Sequence, residues 1–427
     1  MPLVVGFAGG NGRDMREGRA RAQTHAGDDD FDHSGLADLP WLAEKHKDVT
    51  QAETERRCIA LVGPSGGALA GALGPLLQQM AEHGHEIYCF APAVDANAAR
   101  AFARIGVKAS GLPPFRQGFS PVADPRSVYH LARVFGQLRP DIVAGYSPKG
   151  AALASLAGKV ARSEHIVTLL AELGRGFAEA PDSPSLAART YQKSLLRLAF
   201  RLSDTAVFFN EENHKILARH KMLPASLRQF PFNGSGVDLQ QFQETPLPPL
   251  DRGVMFLFAG PLDRRLGVQD YCEAARLLRA KSGNYRCLLA GPEVKGPNGF
   301  PLTELKRYRE VVQYLGPQAD PRHYIARTHA FVLPAVGDAV PSPLIEAIAM
   351  GRPVITTTSR GCRGAVSGGT NGMLVPPNDP PALSSAMARL LTRPDLIPSM
   401  ARASRSLAEA KFDSRRISEQ FLDALGL

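Results

Sequence analysis

The chain has 427 residues, 44% hydrophobic and 21% charged, a globular composition too long for one ordinary domain. Its formal charge of +9 is uneven, −3 over residues 1–57 and +12 over the rest, so the C-terminal 370 residues suit an anionic partner such as a nucleotide or phospholipid surface. No apolar run reaches the roughly 18–20 residues that span a bilayer. The five cysteines show no metal or disulfide spacing, and no aromatic-and-basic motif supports nucleic-acid binding.

The N-terminus, MPLVVGFAGGNGRD, has a short apolar core and no basic flank, so it is not read as a signal peptide and a cytoplasmic chain is expected. Residues 1–56 are rich in Gly, Asp and Arg without periodicity and are expected to form a poorly ordered extension. Order is predicted to begin with a buried strand over 57–62, ending in the Gly63–Gly67 turn, and then to alternate. Helices are expected from Leu73 to Gly84 and over 94–105, 125–138, 149–160 and 184–202. Strands are expected over 85–90, 107–109, 141–144, 165–169 and 205–209. The rhythm pauses near Gly234-Ser-Gly236, and Thr245-Pro-Leu-Pro-Pro249 reads as a linker. It restarts with strands 254–258, 286–289, 312–315, 330–333, 353–356 and 372–375, separated by helices 267–280, 303–310 and 321–327, with helices from 380 onward. Strands alternating with helices make parallel sheets covered on both faces. The expected architecture is therefore α/β. It has an N-terminal Rossmann-like domain over 57–236, a hinge over 237–252, a second Rossmann-like domain over 253–405 and a C-terminal helix, 406–427, returning to the first domain. Ligands belong at the carboxyl ends of such strands.

One stretch, GDAVPSPLIEAIAMGRPVITT from Gly337 to Thr357, brings two carboxylates to such an end. Pro343 suits the first turn of a helix, which leaves the N–H groups around Val340, Ser342 and Leu344 as donors for a phosphate. Glu346, just inside that helix, can accept two hydrogen bonds from a ribose diol, and Asp338 can reach sugar hydroxyls. Read alone, Glu346 is a helix-start acid and Asp338 a turn residue. A nicotinamide dehydrogenase is disfavoured because Gly63, Gly66, Gly67 and Gly71 do not make GxGxxG, and no Gly-Lys-Ser/Thr supports a phosphate-loop nucleotidase.

The same stretch resembles the donor motif of the GT-B glycosyltransferases of family 4, two acids with seven residues between them followed by Gly-x-Pro-Val-Ile, here Gly351-Arg-Pro-Val-Ile355. Gly361-Cys-Arg363, Thr370-Asn-Gly372, Gly234-Ser-Gly-Val-Asp238, Leu289-Ala-Gly-Pro292, Tyr314-Leu-Gly316 and Ser147-Pro-Lys149 extend the likeness over about residues 57–420. It is strongest to the branch that extends undecaprenyl-diphosphate-linked oligosaccharides. The resemblance implies two domains facing a deep cleft. It implies a retaining hexosyl or N-acetylhexosaminyl transfer from a nucleotide sugar, a UDP-sugar by expectation, to a lipid-linked saccharide in surface polysaccharide or glycoconjugate synthesis. No metal or other cofactor is expected, and the chain would be peripheral on the anionic inner-membrane surface. Donor contacts would come from Glu346, Val340, Ser342, Leu344, Gly291, Gly316 and Arg363. Acceptor contacts would come from Gly66, Gly67, Tyr146, Lys149 and Arg175.

Three positions depart from the family pattern. The first acid is Asp338 where the family has Glu, and Tyr146 stands where it often has His. The phosphate-binding Arg and Lys positions fall on Pro261 and Leu266. Arg264 and Arg265 in the same loop are the candidates, with Asp338, for supporting the departing diphosphate. A transferase-like subunit that binds without turnover is the alternative. The helix over 184–202 sets Leu195, Leu196, Leu198, Phe200 and Leu202 beside Arg189, Lys193, Arg197 and Arg201. It reads as a membrane-surface helix or as a core helix with a solvated basic side.

Overall fold

The computed structural model describes residues 56–112, 123–174, 177, 185–279, 283–318 and 320–427. The N-terminal extension up to residue 55 lies outside them. The first sheet is built by β1 (Cys58–Val62), β2 (Glu86–Ala91), β3 (Lys108–Gly111), β4 (Ile142–Tyr146), β5 (His165–Leu170), β6 (Thr205–Phe208) and β7 (Arg228–Pro231). All neighbours are parallel, in the order β3-β2-β1-β4-β5-β6-β7. The crossovers are α1 (Gly66–Glu82), α2 (Ala96–Arg104), α3 (Ala123–Leu138), α4 (Pro148–Ala161), α5 (Leu186–Leu202) and α6 (Glu211–Arg219). The last of these, with β7, lies in the segment after 209 that sequence periodicity left without elements.

The second sheet repeats the plan with β8 (Val254–Ala259), β9 (Tyr285–Ala290), β10 (Gln313–Tyr314), β11 (Ala330–Leu333), β12 (Val354–Thr357) and β13 (Gly372–Val375), parallel in the order β10-β9-β8-β11-β12-β13. Helices α7 (Val268–Leu278), α8 (Leu302–Leu305), α9 (Arg322–Ala326), α10 (Ser342–Ala349), α11 (Arg360–Arg363) and α12 (Pro380–Thr392) surround it. They are followed by α13 (Leu396–Lys411) and α14 (Ser414–Leu425). The helix expected over 303–310 is one α-turn continued by a 3₁₀ turn over Lys306–Tyr308. Pro301 stops it from beginning earlier, and Leu305 is its sole buried residue, so no apolar stripe sustains a longer helix.

In each sheet the winding reverses, between β1 and β4 and again between β8 and β11, which opens a crevice at the carboxyl ends of those strands. The chain crosses between the sheets twice, and the crossings run side by side. Val237 donates to the Phe412 carbonyl at 2.7 Å, and Ser414 returns a bond to the Val237 carbonyl at 3.1 Å. After the second crossing α14 packs on the first sheet's core. Phe421, Leu422 and Leu425 join Leu69, Leu73 and Leu77 there, and each buried apolar side chain is worth roughly 1.5–3 kcal/mol. All five cysteines are buried as thiols. Among the described residues no helix is long and apolar enough to cross a membrane.

Candidate active site

Asp338 stands on the loop that follows β11, at the reversal point of the second sheet, and its side chain is mostly covered. The Arg360 Nε sits 3.0 Å from Oδ1, and the Leu173 N–H, from the end of β5, donates to Oδ2 at 3.3 Å. The Asn210 amide, from the end of β6, donates to the backbone carbonyls of Asp338 and Arg360. Strand ends of the two sheets therefore meet at this one carboxylate.

Two further groups share that space. Burial, the Asp338 charge and, in the opposite sense, Arg265 act on Glu172, with the net effect of pushing its carboxyl above the usual range. Burial and then Glu172 push the Tyr146 phenol up. Tyr146 closes β4 and pairs in register with Leu169 on β5, so both groups stand at adjacent strand ends. Glu172, Arg360 and Asn210 were not singled out from the sequence. Each lies within three residues of the end of a buried strand, and that position was the available signal.

Glu346 lies one turn into α10. Its carboxyl has no hydrogen-bond or ion-pair partner among the described residues, and burial, helped by Asp320, pushes it up to about 7. A half-buried acid held off its ordinary pKa without a structural partner is a functional-site signature. At the start of the same helix the N–H groups of Val340 and Ser342 have no acceptor among the described residues. That of Leu344 is already donated to the Pro341 carbonyl at 3.0 Å, because the first turn tightens to i→i−3 bonding. Gly291 and Gly316 meet at the ends of β9 and β10, where the Gly291 N–H donates to the Gly316 carbonyl at 2.9 Å. A Cβ on Gly291, at φ +149°, would lie 1.8 Å from the Gly260 carbonyl oxygen, so only glycine closes this floor.

The remaining sequence-predicted residues are engaged elsewhere. Arg264 forks onto both Glu304 oxygens at 2.7 Å and lies over the Phe300 ring. Arg265 forks onto Asp263, although its side chain is 68% exposed and within electrostatic range of Glu172. Arg363 turns back onto the Thr358 carbonyl. Lys149 is paired with Asp124 at 2.7 Å, with both side chains nearly buried. The Gly66 N–H is used by the Ala93 carbonyl, while Gly67 continues the first turn of α1, capped by Ser65. Arg175 lies outside the described residues.

The Asp338 loop is pinned from behind by Gly361, whose N–H donates to the Gly337 carbonyl at 2.9 Å. A Cβ there would fall 1.9 Å from the Ala339 carbonyl oxygen, a backbone atom that no rotamer change can move. Gly361→Ala is expected to cost about 1–3 kcal/mol by overpacking and to displace Asp338. An unchanged thermal midpoint would refute this.

A cavity of about 630 Å³ lies away from the cleft, between α3, α4 and α5. Val128, Leu153, Leu156 and Leu195 line it, and the Lys149–Asp124 pair stands at one end.

Comparison with known proteins places this geometry. Residues 67–233 match the model of the glycosyl transferase 4-like domain, and residues 253–393 that of glycosyl transferases group 1. The N,N'-diacetylbacillosaminyl-diphospho-undecaprenol alpha-1,3-N-acetylgalactosaminyltransferase of Campylobacter jejuni is 21% identical over 375 residues, covering 85% of this chain and 97% of that protein. The capsular polysaccharide biosynthesis glycosyltransferase CapM of Staphylococcus aureus is 22% identical over 318 residues, 72% of this chain and 82% of that one. Among solved structures, Anabaena HepE in complex with UDP superposes with a TM-score of 0.68 at 16% identity, over 86% of this chain and 99% of that one.

Proposed function

The chain belongs to the GT-B glycosyltransferases, with a GT4-like N-terminal domain and a group 1 C-terminal domain, and on that premise we propose which groups it joins. It transfers a hexosyl or N-acetylhexosaminyl unit, with retention, from a UDP-sugar to a lipid-linked saccharide at an anionic membrane surface, in polysaccharide or glycoconjugate synthesis.

The observation that carries the donor half is Glu346. A carboxyl without a partner among the described residues, beside N–H groups of Val340 and Ser342 that have no acceptor among them either, matches a ribose diol next to a phosphate. In the transfer the bond from C1 to the donor phosphate breaks. The bond from C1 to the acceptor oxygen forms on the same face, and the acceptor's proton passes to the departing phosphate oxygen. The protein's share is orientation and charge stabilisation. Glu172 and Tyr146, on the first sheet's side of the cleft, are placed to hold an acceptor hydroxyl.

The lipid half rests on the face formed by α3, α4 and α5. Tyr129, Val160 and Leu186 on these helices are 70%, 67% and 80% exposed. The three helices carry eight Lys and Arg against one acid, Asp124, which is already paired. Apolar side chains within a cationic field suit an anionic bilayer. On α5 the buried residues are Leu196, Ala199 and Phe200, so that helix serves the core with one side and solvent with the other.

Thermal-shift titration with UDP, GDP and ADP tests the donor reading. UDP is expected to stabilise the wild type by about 2.7 kcal/mol at a hundredfold excess over Kd, and Glu346→Ala is expected to lose the shift. No shift with any nucleotide would overturn it. Sedimentation with anionic but not zwitterionic vesicles tests the surface, and binding indifferent to lipid charge would remove it.

A further inference from the structure

The positions that would supply a cation to the leaving diphosphate hold Pro261 and Leu266, and neither can donate charge. Of the two arginines in that loop, Arg264 is held on both oxygens of Glu304 and Arg265 on those of Asp263. A transferase that releases a nucleoside diphosphate still needs a positive group at the bond that breaks.

We propose that Arg360 is that group, receiving the sugar-bearing phosphate of the donor, and that Asp338 holds it in place until the donor arrives. This rests on the nucleotide-sugar reading above. Arg360 opens α11, three residues past β12 and next to the β11 loop that carries Asp338, so both side chains stand at the same edge of the second sheet. That edge also carries the open N–H groups of Val340 and Ser342. The guanidinium has five N–H donors in a planar fork. Nε meets Asp338 at 3.0 Å, and Nη2 donates to the Phe177 carbonyl at 3.0 Å. Nη1 is buried and has no acceptor among the described residues. A buried charged donor left unsatisfied is costly, so the unfilled valence marks where an acceptor belongs. Bidentate contact with a phosphate would satisfy it.

Charge balance points the same way. An incoming diphosphate would otherwise face Glu172 and Asp338, two carboxylates that already repel each other. When Arg360 turns from Asp338 to the phosphate, the cation meets the new anion and Asp338 becomes available to the sugar hydroxyls. The Asp338–Arg360 pair also ties the second sheet to Leu173 and Phe177, which follow β5 of the first, so donor binding and release of that tie are one event.

Isothermal titration of the full chain with UDP and UMP, together with the GDP/GMP and ADP/ADP-minus-one-phosphate pairs, tests this. Arg360→Gln is expected to weaken diphosphate binding by roughly 10- to 100-fold while changing monophosphate binding little. Arg360→Lys is expected to recover part of the loss. Asp338→Asn, which releases the guanidinium, is expected to tighten diphosphate binding several-fold. Equal loss of mono- and diphosphate in Arg360→Gln, or no loss, would assign Arg360 to holding the two sheets together and overturn the proposal. If Arg360→Gln does not fold, Asp338→Asn decides: tighter diphosphate binding upholds the exchange, and unchanged binding overturns it. A wild type that binds none of the nucleotides would sink the donor reading and this proposal together. A wild type that binds, with an unaffected Arg360→Gln, would sink only the second.

Discussion

Glu346→Gln is expected to be more stable than the wild type at pH 8, with the difference vanishing towards pH 4.5, and to lose nucleotide binding. The sign follows from linkage. The Glu346 carboxyl is held at about 7 in the folded chain against an ordinary 4.5. Below pH 4.5 it is protonated in both states and contributes nothing. Between 4.5 and 7 the unfolded chain ionises while the folded chain keeps the proton, so stability falls as pH rises. Above 7 the full penalty is present. At about 1.36 kcal/mol per unit the full penalty is on the order of 3 kcal/mol, and partial exposure and the amide's own need for partners reduce the gain. Removing the charge therefore stabilises the empty chain by roughly 1–3 kcal/mol above pH 7. The same change replaces one of the two oxygens that accept from a ribose diol with an NH2 donor, so gain of stability and loss of binding come from one group. Thermal midpoints of both proteins from pH 4.5 to 8.5 provide the check. A difference that stays constant across that range would show that Glu346 titrates normally and carries no strain.

The largest expected loss comes from Arg352→Met. Arg352 has no exposed surface, yet among the described residues the guanidinium makes no ion pair. It donates to the carbonyls of Ile325 at 2.9 Å, Thr245 at 2.8 Å, Pro246 at 3.1 Å and Ala326 at 2.9 Å. It also reaches the Thr245 hydroxyl and the carbonyls of Met350 and Gly351. Burial lowers its pKa to about 10, with Glu244 opposing the shift, and it remains charged at neutral pH. One side chain thus satisfies the linker at 245–246, the end of α9 and the end of α10. Methionine would fill much of the volume and leave those carbonyls unpaired, at a cost of about 3–5 kcal/mol. Arg352→Lys is expected to recover less than half, because an ammonium cannot reach carbonyls on three segments at once. A denaturant midpoint for Arg352→Met equivalent to within about 1 kcal/mol of the wild type would refute this.

Much of the architecture was legible in the chain. The buried strands at 58–62, 142–146, 254–259 and 330–333 are continuous apolar runs, and that at 165–170 is broken only by His165 and Thr168, as expected of strands covered on both faces, and their spacing left room for helices. The segment after 209 was not legible. There α6 is short and charged, and β7 is an edge strand, Arg-Gln-Phe-Pro, with two exposed polar residues and a terminal proline. An edge strand is covered on fewer sides, so it carries no apolar signal.

The site divides in the same way. Glu346 and Asp338 could be picked out because local features frame them: prolines at a helix start, a strand immediately before, and a fixed spacing between two acids. The family resemblance also named Arg264 and Arg265 by their closeness to Pro261 and Leu266, but which way a guanidinium turns depends on the acids within its reach. Those acids, Glu304 and Asp263, could be identified only once the chain had folded. Arg360, Glu172 and Asn210 show the converse case. Each stands more than 20 residues from Asp338 in the chain, and only the parallel sheets, by setting their strand ends at one cleft, bring all three to it. The amino-acid order by itself determined two doubly wound domains and the helix that carries Glu346, because hydrophobic period and helix-start chemistry act over a few residues. The partner of each charge in the cleft was decided by tertiary structure, because electrostatic pairing is settled by distance in space.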